Sequence, residues 1–243
     1  VDYLPPVDAT FGDWLRAAVT ADRELVPDDR WRYREALVTA CERRGIAPHH
    51  AGVADTEALA WPSPARATPP LRGLDFAMAQ FAGDPAHAPD AEELERQATV
   101  LGRLVAHPQW CELFGLADPS RADHRLRLQG DEVSLPCVES VRVARRVGPA
   151  YRVVFEVVAE VTQRRVLGAG ERGPALEVTG GATIIAGPTG ELRWIIARSL
   201  LDDERLARLR EWAAGEGARG YAMGDDGVLR AANAEAGVVE EAW

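Results

Sequence analysis

Over residues 10–46 apolar side chains recur at helical spacing in two runs, separated by an acidic turn. Phe11, Trp14, Leu15, Ala18 and Val19 mark one face of a first helix. Tyr33, Ala36, Leu37, Ala40 and Cys41 mark the face a second helix is expected to bury. Thr10 stands as N-cap, with Asp13 at capping-box spacing. Pro27, Asp28 and Asp29 stop the first helix and offer carboxylates to the open N–H groups of the second. Arg43 and Arg44 set positive charge at the second helix's C-terminal end, Gly45 suits a left-handed cap, and Ile46 folds back toward Cys41. Pro69 and Pro70 lead a third helix with Leu71, Leu74, Met78 and Phe81 on one side. Asp90, followed by Glu93, opens a fourth with the stripe Leu94, Ala98, Leu101 and Val105. A short helical continuation over 108–114 closes at Gly115.

After Asp118 the period changes from helical to alternating. Residues 125–128 alternate, 138–146 form a stronger strand candidate, and 151–162 form the clearest. There Tyr151, Val153, Phe155, Val157, Ala159 and Val161 share one face, which is expected to meet the core. Arg152, Glu156, Glu160 and Thr162 share the other with Val154 and Val158, and this face is expected to look mostly toward water. Residues 176–186 and 191–198 read as a hairpin turning at Gly187, Pro188, Thr189 and Gly190. Asp202 and Asp203 open a last helix bearing Leu206, Leu209 and Ala213, and a loosely held tail is expected from Gly217. The pattern predicts an α+β fold. An N-terminal helical region, 1–118, precedes an antiparallel β-meander with a packing C-terminal helix and tail, 119–243.

Composition narrows the function classes. The chain has 243 residues, with 38 acidic against 28 basic side chains, a net charge of −10. Such a balance argues against nucleic acid and against an anionic membrane as partner, since either needs a concentrated basic patch. No apolar run reaches the length of a membrane span. Cys41, Cys111 and Cys137 are odd in number, widely spaced and set among apolar residues. They read as reduced residues of a cytoplasmic protein. The first residue is Val1, which is consistent with a piece of a longer protein.

Candidate chemistry is sparse. His49 and His50 are adjacent and would point apart on any regular element, while His87, His107 and His124 stand alone. None has metal-ligand spacing. Asp22, Glu24, Asp28 and Asp29 lack the alternation and central Gly of a calcium loop, and helix capping accounts for the last two. Cys41 and Cys111 sit on apolar stripes, Cys137 opens a strand, and Ser140 and Ser199 lie in no nucleophile-elbow context. Gly180 and Gly181 precede a strand and no helix, which suits a bulge or a close backbone approach rather than a phosphate loop. Trp194 is expected in the core. Arg142, Arg145, Arg146, Arg152, Arg164 and Arg165 fall on strands or strand ends, and if adjacent strands pair several of them are expected to share an open, salt-bridged sheet face with Glu156 and Glu160. That face could meet an acidic partner. No residue is assigned a catalytic, cofactor-binding or metal-ligating role, and no cofactor is expected.

The segments FGDWLRAAVTADRELVPDD, YREAL, ERRGI, VESVRVARRVGP, FEVVAEVTQRR and VTGGATIIAGPTGELRWIIARSLL resemble the C-terminal region of large bacterial proteins. Some of those carry an upstream gluzincin (thermolysin-like) zinc metallopeptidase domain, whose His-and-Glu zinc signature is absent here. The resemblance implies a non-catalytic structural or protein-interaction region, a companion to a metallopeptidase-like domain, with a protein partner or upstream domain. Two alternatives stand beside this reading. One is the C-terminal part of a zinc metallopeptidase whose motif lies upstream or on another chain. The other is a small-molecule binding module using a cavity between the curved sheet and the last helix.

Overall fold

The structure is a computed structural model in which residues 2–46, 56–63, 90–118, 131–147, 153–170, 173–187 and 189–232 are described. The expected third helix at 71–81, the alternating stretch 125–128, and His49, His50, His87, His124 and Arg152 lie outside those residues. Helices α1 (Phe11–Leu25), α2 (Tyr33–Glu42), the single turn α3 (Thr56–Leu59) and α4 (Ala91–Val105) come first, and a 3-10 turn, Cys111–Phe114, follows. Strands β1 (Glu132–Val133), β2 (Cys137–Val147), β3 (Val153–Leu167), β4 (Ala175–Ala186) and β5 (Leu192–Arg198) come next. Helix α5 (Asp203–Ala214), a 3-10 turn (Glu216–Gly220), β6 (Tyr221–Met223) and β7 (Val228–Ala231) complete an α+β fold.

The helix ends form where the sequence places them. Thr10 accepts from Asp13 N while the Asp13 carboxylate accepts from Thr10 N, a complete capping box. Asp29 caps α2 through Tyr33 N and Arg34 N. Gly45 takes φ +73, and Ile46 N donates to Cys41 O to end the helix. Asp90 and Asp202 cap α4 and α5 through Glu93 N and Arg205 N.

β2, β3, β4 and β5 form the expected antiparallel meander. The sheet has seven strands, and β7 lies parallel to the start of β4. Of the residues after Gly217, expected as a loose tail, 221–231 instead supply β6 and β7 and extend the sheet, and 233–243 lie outside the described residues. The signal was weak because these two strands are only three and four residues long.

Both faces of the sheet are covered. On one, Ala159, Val161, Ala182 and Ile184 meet Leu101 and Val105 of α4 and Cys111, Phe114 and Leu116. Along the same face Leu167, Leu176 and Val178 meet Leu206 and Ala213 of α5. On the other, Val158, Ile185, Trp194 and Ile196 meet Tyr3 and Ala17. A small separate core, Leu15, Val19, Val38, Cys41 and Leu59, joins α1 to α2 and α3. The expectation that one face of β3 looks to water is therefore overturned. Glu156 is 2% exposed and Val158 fully buried, because the N-terminal arm and α1 lie over them, while Phe155 is only half-buried. Strand periodicity reveals two faces but not what covers each.

Two glycines permit this packing. A Cβ on Gly181 would stand 2.0 Å from Val161 O, so β3 and β4 approach there too closely for any side chain. Gly115 has φ +70, and a Cβ there would stand 2.7 Å from Arg198 O. Next to it the Gln163 amide holds the chain: Ala117 N donates to its Oε1, and its Nε2 donates to Ala117 O and Ser134 O.

Candidate functional site

The chemistry of the described residues concentrates on the sheet face under the N-terminal arm. That arm crosses the sheet. Thr183 Oγ1 donates to Leu4 O at 2.6 Å, Trp61 Nε1 donates to Tyr3 O at 2.8 Å, and the Tyr3 ring meets Trp194 edge-on at 5.8 Å. Trp194 is core, as expected, at 8% exposure. The arm is fastened at both ends by arginines. Asp2 pairs with Arg142 at 2.8 Å and Arg146 at 3.0 Å, and Asp8 pairs with Arg205, which also donates to Thr179 O and Ser199 O. Arg198 pairs with the Asp13 carboxylate of α1.

Alternating charges continue from Asp2 across three strands. Glu160 pairs with Arg142 at 3.3 Å, and Arg146 pairs with the buried Glu156 at 2.5 Å. Glu156 also holds Arg193, which bonds Glu24 of α1 at 2.6 Å. Thus Arg142, Arg146, Glu156 and Glu160 do share one face, as their spacing suggests. The face is not open, however: the arm and α1 close it, and each charge is met by another. Burial works against ionised Asp2, yet its hydrogen bond from Arg142 and the Arg146 charge outweigh that and hold its pKa below the usual carboxylate range. Burial pushes the Tyr3 hydroxyl up to about 12, although Arg146 lies over the ring at 4.7 Å and lowers it in part.

Arg165 belongs to the opposite face and not to this group. Its guanidinium donates to Asp131 at 2.6 and 2.9 Å and to Leu200 O at 2.5 Å, and Asp131 also accepts from Gly168 N. Both side chains are almost completely buried, at 4% and 1% exposure. The pair is a structural clamp. Arg164 and Arg145 are exposed.

The remaining candidates disperse. Asp22 and Asp29 both pair with Arg34, Asp29 also caps α2, and Glu24 pairs with Arg193, so these acidic residues are met by arginines and a helix end. Among the described residues no three His, Cys, Asp or Glu side chains come together as a metal site. His107 is exposed and its Nδ1 accepts from Gln109 N. Cys41 and Cys111 are buried as expected, but Cys137 is exposed at the start of β2, where residual burial and the nearby Glu139 raise its thiol pKa. Pro174, Leu176, Arg210, Ala213, Ala214 and Leu229 line an apolar cleft of about 20 Å³, room for one water rather than a metabolite. Among the described residues no helix is long and apolar enough to cross a membrane.

One feature was missed in the sequence. Phe11 and Trp14, read as core, are 53% and 47% exposed. Of that stripe Leu15 and Val19 are buried as expected, together with Ala17, which was not on it. The same holds for α2, where Val38 and Cys41 are buried and Tyr33 is 70% exposed. Leu25, Val26 and Trp31 are exposed as well, so exposed apolar residues recur along α1, in the turn and at the start of α2. The apolar residues of α1 form two adjoining stripes, and spacing alone fits either. The signal that could have found the outer one is the aromatic content of the turn itself, Trp31 and Tyr33 beside Asp28 and Asp29.

No known protein family, curated protein or solved structure matches this chain.

Proposed function

We propose that this chain is a non-catalytic protein-interaction region that binds through the outer side of α1 and the α1–α2 turn. The observation that carries this reading is the aromatic surface there. Phe11, Trp14, Trp31 and Tyr33 each stand about half or more exposed, whereas the other large aromatics among the described residues are buried or half-buried. Grouped exposed apolar surface of this kind marks an interaction site, and aromatic side chains dominate such interfaces. The charged groups support the same reading, because the arginines and carboxylates under the arm are engaged with one another. A companion role beside a larger protein's metallopeptidase-like domain is the version suggested by the resemblance of its segments.

The test is cross-linking mass spectrometry on the full-length protein in its native cells, comparing the unaltered chain with a Trp31→Ser, Tyr33→Ser variant. Intermolecular cross-links near the α1–α2 turn are expected and should be lost in the variant, with the melting temperature unchanged. Identical cross-link maps would overturn the reading. So would stoichiometric zinc or substrate turnover by the purified chain.

A further inference from the structure

The arm over the sheet carries two carboxylates six residues apart, Asp2 and Asp8, and two arginines hold each residue. Asp2 meets Arg142 and Arg146 of β2 at 2.8 and 3.0 Å. At the far end Arg205 donates to the Asp8 carboxylate, and Arg198 donates to the Asp8 carbonyl at 3.3 Å. Between these ends Arg146 lies over the Tyr3 ring, Tyr3 packs edge-on to Trp194, Pro5 is buried, and Leu4 O accepts from Thr183 of β4. The segment thus runs past β2, β4 and the end of β5 as a peptide lies in a groove, charged at both ends and mostly apolar between.

Three features give the arm the character of a ligand rather than of a fixed layer. Among the described residues no backbone–backbone hydrogen bond joins residues 2–9 to the sheet, so side-chain groups supply its polar contacts. Its ion pairs are partly open to water. The Asp2 and Asp8 side chains are each 28% exposed, and pairs of that kind hold weakly and yield to salt. Its fit is also incomplete. An arginine holds a carboxylate best through two parallel N–H bonds, yet Nε of Arg198 and Nε of Arg205 are both buried with no acceptor. Arg205, only 7% exposed, has no carboxylate partner but Asp8 among the described residues.

We infer that the groove under the arm is a docking site for an extended acidic segment of a partner protein, and that the arm is its built-in occupant, a strap displaced when that segment binds. The chemistry of the incoming segment is read from the arm itself: two carboxylates six residues apart, an aromatic ring beside the first, and apolar residues between. The groove uses different residues from the aromatic surface of α1 and the turn after it, so either reading can fail alone.

The probe is a fluorescently labelled peptide of residues 1–9, VDYLPPVDA, titrated against the full chain and against an Asp2→Asn, Asp8→Asn variant. The variant weakens the strap and leaves the groove unaltered, and circular dichroism checks its fold. The tethered arm competes at an effective concentration of roughly a millimolar, so anisotropy should show binding to the variant at least about ten-fold tighter than to the unaltered chain. A peptide with both Asp replaced by Asn, or with the same residues scrambled, should bind the variant at least about ten-fold more weakly, since it lacks the placed carboxylates. A second measurement needs no variant. Chymotryptic cleavage after Tyr3 in the unaltered chain, normalised to the free peptide, should quicken several-fold between about 0.1 and 1 M salt, as the Debye length falls from about 10 to 3 Å. Absence of binding to a folded variant, equal binding to both chains, no preference for the acidic peptide over its controls, or cleavage indifferent to salt would overturn the proposal.

Discussion

Arg193 reaches Glu156 because it is the extra residue of a β-bulge. Ile185 pairs with Trp194 and Ala186 with Leu192, which leaves Arg193 without a partner across the ladder. A bulge re-aims the side chain it carries, and here the guanidinium turns to the face where it holds both Glu156 of β3 and Glu24 of α1. One irregular residue thus ties the sheet to the helix that covers it.

From this follows an inversion of what the strand pattern predicts. Glu156→Ala should be more destabilising than Phe155→Ala, since Glu156 is buried, accepts a hydrogen bond from Arg193 and is ion-paired with Arg146, while Phe155 is half-buried. Losing the hydrogen bond from Arg193 to this charged group costs about 1.5–3 kcal/mol, moderated here because Arg193 retains some access to water. Denaturant melts of the two variants should give the lower midpoint for Glu156→Ala.

The clamp between Arg165 and Asp131 has a different energetic character. Both ends are buried, so Asp131→Ala leaves an uncompensated interior charge, a loss of about 3–5 kcal/mol. Replacing the pair by Asp131→Ala with Arg165→Met should recover most of it. The measurement is a double-mutant cycle by chemical denaturation, in which the double variant should lose much less stability than the two single variants added together.

Tyr3 makes the fold sensitive to alkali. Its hydroxyl ionises at about 12 when folded and near 10 when unfolded, so the folded state holds the proton more tightly. The corresponding stability is complete below about pH 10 and is lost as pH rises toward 12. Spectrophotometric titration should show a late tyrosine ionisation near 12 that disappears in Tyr3→Phe, and the alkaline loss of stability should flatten in that variant.

Gly181→Ala should disrupt the β3–β4 ladder. The added methyl would meet Val161 O at 2.0 Å, a backbone atom in the middle of a paired strand. Overpacking of this kind costs about 1–3 kcal/mol and more where backbone cannot shift. Ala182→Gly is a milder change at the neighbouring position, and thermal melts should rank Gly181→Ala below it.

Much of the candidate surface was hidden in plain view. The apolar residues of α1 were legible as a stripe, but Phe11 and Trp14 belong to the outer line and Leu15 and Val19 to the inner. A helix with apolar residues on several sides has no unique inward direction until its neighbours are fixed. The arginine group was partly legible: Arg142 and Arg146 do meet Glu156 and Glu160, whereas Arg165 lies across the sheet beside Asp131. Asp131 gave no hint of this, because its partner is 34 residues away along the chain.

What the sequence determined by itself is local. Thr10, Asp90 and Asp202 start helices because their side chains satisfy N–H groups only three residues ahead, and Gly45 and Gly115 close turns because their backbone must reach positive φ. The meander from β2 to β5 follows from alternation and turn residues in the same way. Tertiary structure alone decided which faces are covered. The arm crosses the sheet through Tyr3, Leu4 and Asp8, contacts made with residues up to 197 positions distant, and so turns an apparently solvated face into a buried charged one. Burial depends on what comes to lie above a surface, and no short-range pattern carries that.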